Sequence, residues 1–249
     1  MKMHKKIHYG FLVLALATIS SIASAKVVYQ PWYSQFTLYG WAAGVGGDIK
    51  PFSGSQNFSF NKSFPDILKD SDGAFFATGL ARKGPLVLLA DVSYSSSSRQ
   101  GSIHPGINAQ ASLTLRSLTL AAGRRVFSDQ GSNIDVLGGF KIWDANGSVE
   151  VPFAAVSKSP EKTFIDPIIA MRGKLQIAPR WSLLGYADLG GFGVGSKFTY
   201  QLTMTANYQM TRQLYVSVGY RQLYLDYDSG GTRLGCSMRG PLIGVTWRP

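Results

Sequence analysis

The chain has 249 residues, with 25 Lys or Arg against 14 Asp or Glu, which gives a formal net charge of +11. Its single cysteine, Cys236, excludes an intrachain disulfide. No run of 18 apolar residues follows residue 25, which argues against a helical membrane span there. Glycine is abundant at 28 residues and mean hydropathy is near zero, a balance typical of strands with only one apolar face.

Residues 1–25 have the pattern of a secretory signal peptide. Three lysines precede a short apolar run, which ends in an Ala-Ser-Ala triplet at residues 23–25. We expect cleavage after Ala25 and a mature domain over residues 26–249, with a net charge of +8 because three lysines and no acid are removed. An exported chain rarely meets nucleic acid, so the remaining positive charge favours anionic lipid headgroups as the partner.

Alternating apolar and polar residues run through most of the mature chain and predict β-strands. The clearest case is "FTYQLTMTANY" at residues 198–208. A tilted strand needs about 9–11 residues to cross a bilayer, whereas strands of soluble proteins average about 5–6. Ten strands are predicted, near 35–46, 73–83, 85–96, 109–126, 132–144, 165–178, 181–190, 197–209, 213–227 and 235–248.

The predicted connectors alternate between short and long. The short ones lie at 82–85, 127–131, 178–181 and 210–213; the longer ones lie at 46–72, 97–108, 145–164, 191–196 and 228–234. This asymmetry is typical of outer-membrane barrels. We therefore predict an all-β fold, an antiparallel up-and-down transmembrane β-barrel in the bacterial outer membrane with ten strands, or eight as the alternative. A secreted soluble β-sandwich or lipocalin-like barrel is the competing interpretation.

Several segments resemble a family of Gram-negative outer-membrane β-barrel proteins. They include "FPDILKDSDGAFFATGLARKGPLVLLADVSY" at 64–94 and "RWSLLGYADLGGFGVGSKFTYQL" at 180–202. The resemblance covers most of the mature chain and implies a porin-like outer-membrane protein without an assigned activity. One departure is the last residue, since Pro249 stands where such barrels carry an aromatic residue and Trp247 comes two residues earlier.

The glycine cluster within residues 185–202 predicts a hairpin rather than a phosphate-binding loop. A phosphate loop needs a helix after it, and the clearest predicted strand follows here instead. Glycines at 191–196 would supply the positive φ angles of a tight turn. Because this is the shortest of the long connectors, we expect it to leave the barrel mouth uncovered on its side.

The polar side of each strand is expected to face the barrel interior. Alternation there is interrupted near 116–125 and 222–226, where we expect β-bulges. Charges of both signs favour a plug of paired side chains, since a ten-stranded barrel is narrow; a narrow channel for polar solutes is the alternative. The predicted lumen residues are Asp91, Asp135, Lys141, Asp166, Arg172, Lys174, Tyr186, Asp188 and Arg221.

Catalysis, cofactors and metal ions are not indicated by the sequence. The only histidine after residue 25 is His104, and no D-x-H or H-x-x-x-S spacing surrounds it, so an outer-membrane hydrolase is the least favoured hypothesis. Aromatic residues in the connectors 46–72 and 145–164 favour binding of lipopolysaccharide or a protein partner; the alternatives are a lid over the barrel mouth and a position in the membrane interface beside Trp143 and Tyr94. The expected partners are outer-membrane lipid, lipopolysaccharide and, during biogenesis, the assembly machinery.

Overall fold

The computed structural model of the protein describes residues 30–50, 58–66, 71–104, 107–151, 156–158, 161–229 and 231–249. The predicted signal peptide at 1–25 lies outside these residues. The compact unit that carries the fold is Pro31–Pro249. No helix within the described ranges is long and apolar enough to cross a bilayer.

The described ranges contain thirteen β-strands. They are β1 (Tyr33–Trp41), β2 (Gly44–Lys50), β3 (Phe58–Lys62), β4 (Ser71–Lys83), β5 (Leu86–His104), β6 (Ile107–Asp129), β7 (Ser132–Val151), β8 (Val156–Lys158), β9 (Glu161–Ala178), β10 (Trp181–Gly190), β11 (Phe198–Gln209), β12 (Leu214–Ser229) and β13 (Thr232–Trp247).

Ten of the described strands close into an antiparallel barrel. Their order is β1-β4-β5-β6-β7-β9-β10-β11-β12-β13, and β13 pairs with β1 to complete the ring. At that closure Phe36 lies opposite Trp247 and Trp41 lies opposite Leu242. The predicted ten-stranded antiparallel barrel is therefore confirmed, and the eight-stranded alternative is wrong. Closure also leaves the barrel without an unpaired edge.

Three further strands lie wholly or mostly in segments that were predicted to be loops. After an interruption at Ala42 and Ala43, β2 continues along β13, and β3 pairs with β2. The short β8 pairs with the end of β7. The predicted connector at 97–108 is also largely strand, because β5 and β6 remain paired as far as His104 and Ile107. The register of β5 and β6 is fixed near their short turn. Beyond the apolar part of the strands, backbone hydrogen bonds continue the antiparallel ladder, and these do not require an alternating apolar pattern.

The two ends of the barrel differ. The short-turn end carries the connections at 84–85, 130–131, 179–180 and 210–213, together with the start of β1 and the end of β13. The turn at Gln130 and Gly131 has two residues with φ of 43° and 83°, the positive values that a tight hairpin needs. The long-loop end carries the extended β5–β6 and β6–β7 pairs, β2, β3 and β8.

The outward side chains form an exposed apolar surface around the barrel. Phe140 and Ile169 are each 59% exposed. An apolar area that runs over successive strands in this way is suited to lipid chains. Other members of this surface are Phe36, Leu38, Leu88, Leu120, Val136, Met171, Leu202, Met204, Val218, Ile243 and Val245.

The inward side chains are only partly polar. Along β12, Arg221 is followed by buried Leu223, Leu225 and Tyr227, so the geometric alternation continues where a bulge was expected. Along β6 the odd positions 117, 119 and 121 are all buried, and the register shifts only between Arg125 and Phe127. The change of phase expected near 116–125 therefore occurs only at the end of that range, and the one expected near 222–226 is wrong. On β12 the inner face carries apolar side chains, so polarity along the sequence does not show which residues face inward.

Two apolar clusters occupy the interior. The aromatic cluster lies toward the long-loop end and comprises Trp41, Ala43, Phe76, Trp143, Leu223, Leu225, Tyr227, Met238 and Leu242. The aliphatic cluster lies against β4, β5, β6, β7 and β9 and comprises Leu80, Val87, Leu89, Ala121, Leu137, Ile168 and Ala170. Burial of such side chains is the main favourable term that packs the interior of the barrel.

Neighbouring glycines on β7 give a matched test of this packing. A Cβ atom at Gly139 would collide with the backbone oxygen of Leu120, whereas at Gly138 the nearest atom lies 3.9 Å away. We expect Gly139→Ala to lower the free energy of unfolding by about 1–3 kcal/mol and Gly138→Ala to change it little. The measurement is the urea midpoint of the heat-modifiable gel band; equal midpoints for the two variants would contradict the register of β6 and β7.

Candidate functional site

The centre of the interior polar network is Arg221 on β12. Its side chain is 2% exposed, and Nη2 donates to Asp91 Oδ1 at 3.2 Å and to Gln201 Oε1 at 2.9 Å. Nη1 donates to the Tyr39 hydroxyl, and the guanidinium lies 4.8 Å from the ring centroid of Trp41. One buried cation therefore joins β1, β5 and β11 to β12.

Asp91 on β5 is the anionic partner of this cation. Besides Arg221, it accepts hydrogen bonds from the Tyr39 hydroxyl at 3.0 Å and from the Thr78 hydroxyl at 2.6 Å. In ring order, β12 and β5 are separated by β13, β1 and β4, so the contact reaches across the barrel. A buried carboxylate needs such a set of donors, because its desolvation is otherwise unfavourable.

A second buried ion pair joins Lys141 on β7 to Asp188 on β10. Lys141 Nζ lies 2.8 and 2.9 Å from the two carboxylate oxygens, and the two side chains are 1% and 0% exposed. The Tyr186 hydroxyl donates to Asp188 Oδ2 at 2.8 Å. Each charge is thus held by a partner on a different strand of the barrel.

Asp166 on β9 binds neutral donors. The Trp143 indole N–H donates to Oδ2 at 2.9 Å, and Ser196 donates through its backbone N–H at 2.6 Å and its hydroxyl at 2.8 Å. Trp143 is completely buried, so its expected position at the membrane interface is wrong; its indole N–H requires the acceptor that Asp166 supplies.

The glycine-rich loop at 191–197 turns inward through Ser196. Gly191 and Gly193 have φ of 87° and 77°, which confirms the predicted hairpin with positive φ angles. Ser196 is 1% exposed and held by Asp166. Phe192 and Val194 of the same loop are 55% and 72% exposed, so only Ser196 is drawn to the buried carboxylate; that the loop leaves the mouth uncovered on its side stays a prediction.

Toward the short-turn end, Asp135 on β7 accepts from two arginines. Arg125 Nε lies 2.7 Å from Oδ1, and Arg172 Nη1 lies 3.3 Å from Oδ2. The Asp135 side chain is 0% exposed. Lys174 follows on β9 and is half-buried, with no ion pair among the described residues. This level of the barrel therefore carries more positive than negative charge.

A cavity of about 100 Å³ lies between Arg221 and the short-turn end. Its walls come mainly from β1, β11, β12 and β13, and Leu89 of the aliphatic cluster also lines it. Its charged lining is Asp91, Arg172, Arg221 and Arg248. Its neutral polar lining is Gln35, Thr37, Tyr39, Thr78, Tyr186, Gln201, Thr203, Thr205, Asn207, Tyr215, Ser217 and Thr246. We call this cavity the inner chamber.

At the long-loop end, Asp228 forms a surface cluster with two cations. Lys197 Nζ lies 2.6 Å and Arg233 Nη2 lies 3.0 Å from Asp228 Oδ2. Hydrogen bonds from Lys197 and then from Arg233 hold the pKa of the Asp228 carboxyl below its usual range. The cluster joins the glycine-rich loop to β12 and β13, and it persists as the pH falls until that lowered pKa is reached.

The nine residues predicted for the lumen lie as follows. Asp91, Asp135, Lys141, Asp166, Arg172, Asp188 and Arg221 are buried, and Lys174 and Tyr186 are half-buried. Alternation did not single out Tyr39, Gln201 or Ser196 as their partners, since those contacts depend on the three-dimensional order of the strands. His104 ends β5, and its side chain lies outside the described residues. No group of three His, Cys, Asp or Glu residues suited to a metal occurs in the described part of the chain.

No protein-family model and no curated protein sequence matches the chain. Among solved structures, the outer membrane protease OmpT from Escherichia coli is similar with a TM-score of 0.54 and 12% identity, over 91% of this chain and 99% of OmpT. The translocator domain of the autotransporter NalP from Neisseria meningitidis gives a TM-score of 0.46 at 11% identity, over 87% and 88%. Ail of Yersinia pestis gives 0.40 at 10%, over 89% and 100%. The similarity to OmpT shows a shared barrel fold.

The Lys141–Asp188 pair gives a quantitative test of the interior network. Lys141→Met should lower the free energy of unfolding by about 3–5 kcal/mol, because it leaves a buried carboxylate without its cation. Adding Asp188→Leu in the same chain should restore most of that loss. Lys197→Met, which breaks an exposed pair, should cost at most about 1 kcal/mol. The measurement is unfolding by urea in detergent micelles. A double variant with a lower free energy of unfolding than Lys141→Met alone would contradict the pairing.

Proposed function

We propose that this chain is a bacterial outer-membrane protein whose barrel is closed to solutes and which acts through its surface. The observation that carries the proposal is the contact between Arg221 of β12 and Asp91 of β5, which crosses the barrel among buried side chains. A conducting path would have to separate these groups. The hydrogen bonds from Arg221 to Asp91 and to Gln201 are charge-assisted, and each is worth about 1.5–3 kcal/mol. The closed state is therefore strongly favoured.

The exterior of the barrel supports the location in the outer membrane. Its exposed apolar surface matches the hydrocarbon layer, and a closed barrel satisfies every backbone group at that depth. Outer-membrane barrels have short periplasmic turns and longer extracellular loops. We therefore assign the short-turn end to the periplasm and the long-loop end to the cell exterior.

The aromatic cluster adds a second barrier outside the Arg221 level. Phe164 of β9 stacks on Tyr227 of β12 with ring centroids 4.5 Å apart, although β10 and β11 separate these strands. Phe164 also stacks on Trp143, which is fully buried. Because these aromatic side chains meet across the barrel, ions would face an apolar layer as well as the paired charges.

The extended strands support a role at the cell surface. With 23 residues, β6 spans about 75 Å at about 3.3 Å per residue, which far exceeds an apolar layer of about 30 Å. The pairs that β6 forms with β5 and β7 therefore continue outside the bilayer as an exposed sheet. We propose that lipopolysaccharide and outer-membrane lipid contact this part of the protein, and that the assembly machinery inserts it into the membrane.

We further propose that the protein is not an enzyme. OmpT is an outer membrane protease, but a barrel fold shared at 12% identity does not carry a catalytic role. Asp135, Asp166 and Asp188 all have buried side chains held by hydrogen bonds. A general acid or base must reach its substrate, which these groups do not allow.

A narrow channel is the second candidate, and the inner chamber is the observation that favours it. Most of the residues that line the chamber carry a polar side-chain group, and the chamber lies on the axis that a solute would follow. A channel would differ from a closed barrel in its conductance, which can be measured.

Planar-bilayer recording on the refolded protein separates the two candidates. The closed barrel predicts no stable single-channel steps for the unaltered chain. Arg221→Gln removes the central cation, and Arg233→Gln removes an exposed cation at the rim as the matched control. Stable steps in the unaltered protein whose size changes in Arg221→Gln but not in Arg233→Gln would establish the channel and refute the closed barrel.

A further inference from the structure

The inner chamber has room for more than water. Its volume is about 100 Å³, whereas one water needs roughly 10–15 Å³ on the same measure. The chamber lies on the periplasmic side of the Arg221 level, and the half-buried residues Tyr215 and Arg248 stand at its periplasmic end. A ligand of a few non-hydrogen atoms therefore fits the chamber.

The charged lining of the chamber is predominantly positive. Arg172, Arg221 and Arg248 line it together with one carboxylate, that of Asp91. Asp91 is already engaged by Arg221. Arg172 shares its own partner, Asp135, with Arg125. A surplus of positive charge in a poorly hydrated space is unfavourable unless an anion accompanies it.

Two guanidinium groups of the chamber also retain a hydrogen-bond donor without a partner. The Nε atoms of Arg221 and Arg248 are both buried, and neither has a hydrogen-bond partner among the described residues. The Arg248 guanidinium is held 3.7 Å from the ring centroid of Tyr215, which fixes its position at the chamber. Buried donors of this kind are rare in folded proteins, because each one carries an unfavourable desolvation energy.

We propose that the inner chamber is a binding site for a small oxyanion, a phosphate or a carboxylate, that enters from the periplasm. Arginine is well suited to both groups, because its planar donors match their paired oxygens. The Thr203 hydroxyl and the side-chain N–H groups of Gln35 and Gln201 supply further neutral donors along the wall. Water alone would satisfy the Nε atoms but would leave the positive charge uncompensated. Oxyanion binding does not depend on whether the barrel conducts.

The test uses the full chain refolded in detergent micelles, with inorganic phosphate and acetate as separate probes. Saturable binding of at least one probe is expected by isothermal titration at constant ionic strength. Arg248→Gln should weaken that binding about tenfold or more, as the loss of a charge-assisted contact implies. Arg233→Gln changes the net charge equally at the opposite end, so its affinity should match that of the unaltered chain. The preferred probe identifies whether the chamber selects the phosphate or the carboxylate group.

A second variant keeps the proposal testable if Arg248→Gln does not fold. Ser217→Leu fills the chamber without changing its charge, and it should abolish binding while the protein keeps its heat-modifiable gel migration. Failure of both probes to saturate, or equal weakening by Arg233→Gln and Arg248→Gln, would overturn the site. Unaltered affinity in a folded Ser217→Leu variant would overturn it as well.

Discussion

The structure depends on how one buried cation, Arg221, is satisfied inside a narrow barrel. Its guanidinium contacts Asp91, Gln201 and Tyr39 and lies near the ring of Trp41. A charge in a region of low dielectric is stable only when such partners surround it. Because these partners come from strands far apart in the ring, meeting this requirement fixes the relative positions of opposite walls.

The barrel interior differs on the two sides of this cation. Toward the long-loop end, aromatic and aliphatic side chains meet across the barrel, and Ser196 of the glycine-rich loop is bound by Asp166. Toward the short-turn end, the inner chamber remains, lined by polar side chains and by more positive than negative charge. Our proposals follow from this division: an outer half that excludes solutes, and an inner half that holds a small anion. The extended strands beyond the bilayer would then carry the contacts with partners.

Sequence patterns predicted the barrel well because period-two alternation follows directly from the geometry of a strand. The predicted bounds of β10 at 181–190 agree with the structure. The continuation of β5 and β6 was not predictable in the same way, since the serine-rich segment at 94–98 carries no apolar alternation. On β12 the residues that face inward change from Arg221 to Leu223 and Leu225, so the polarity of a residue no longer indicates whether it faces the interior or the lipid. Contacts such as Arg221–Asp91 join residues 130 positions apart and require the order of the strands in the ring.

Hydrogen exchange at the Trp143 indole tests most directly whether the outer half of the barrel excludes water. This N–H donates to Asp166 and is fully buried beneath the glycine-rich loop and among aromatic side chains. After transfer of the micelle-bound protein into D2O, nuclear magnetic resonance should show the indole proton persisting far longer than that of free indole. Exchange at the rate of free indole would show that water reaches this level, and it would contradict the closed barrel.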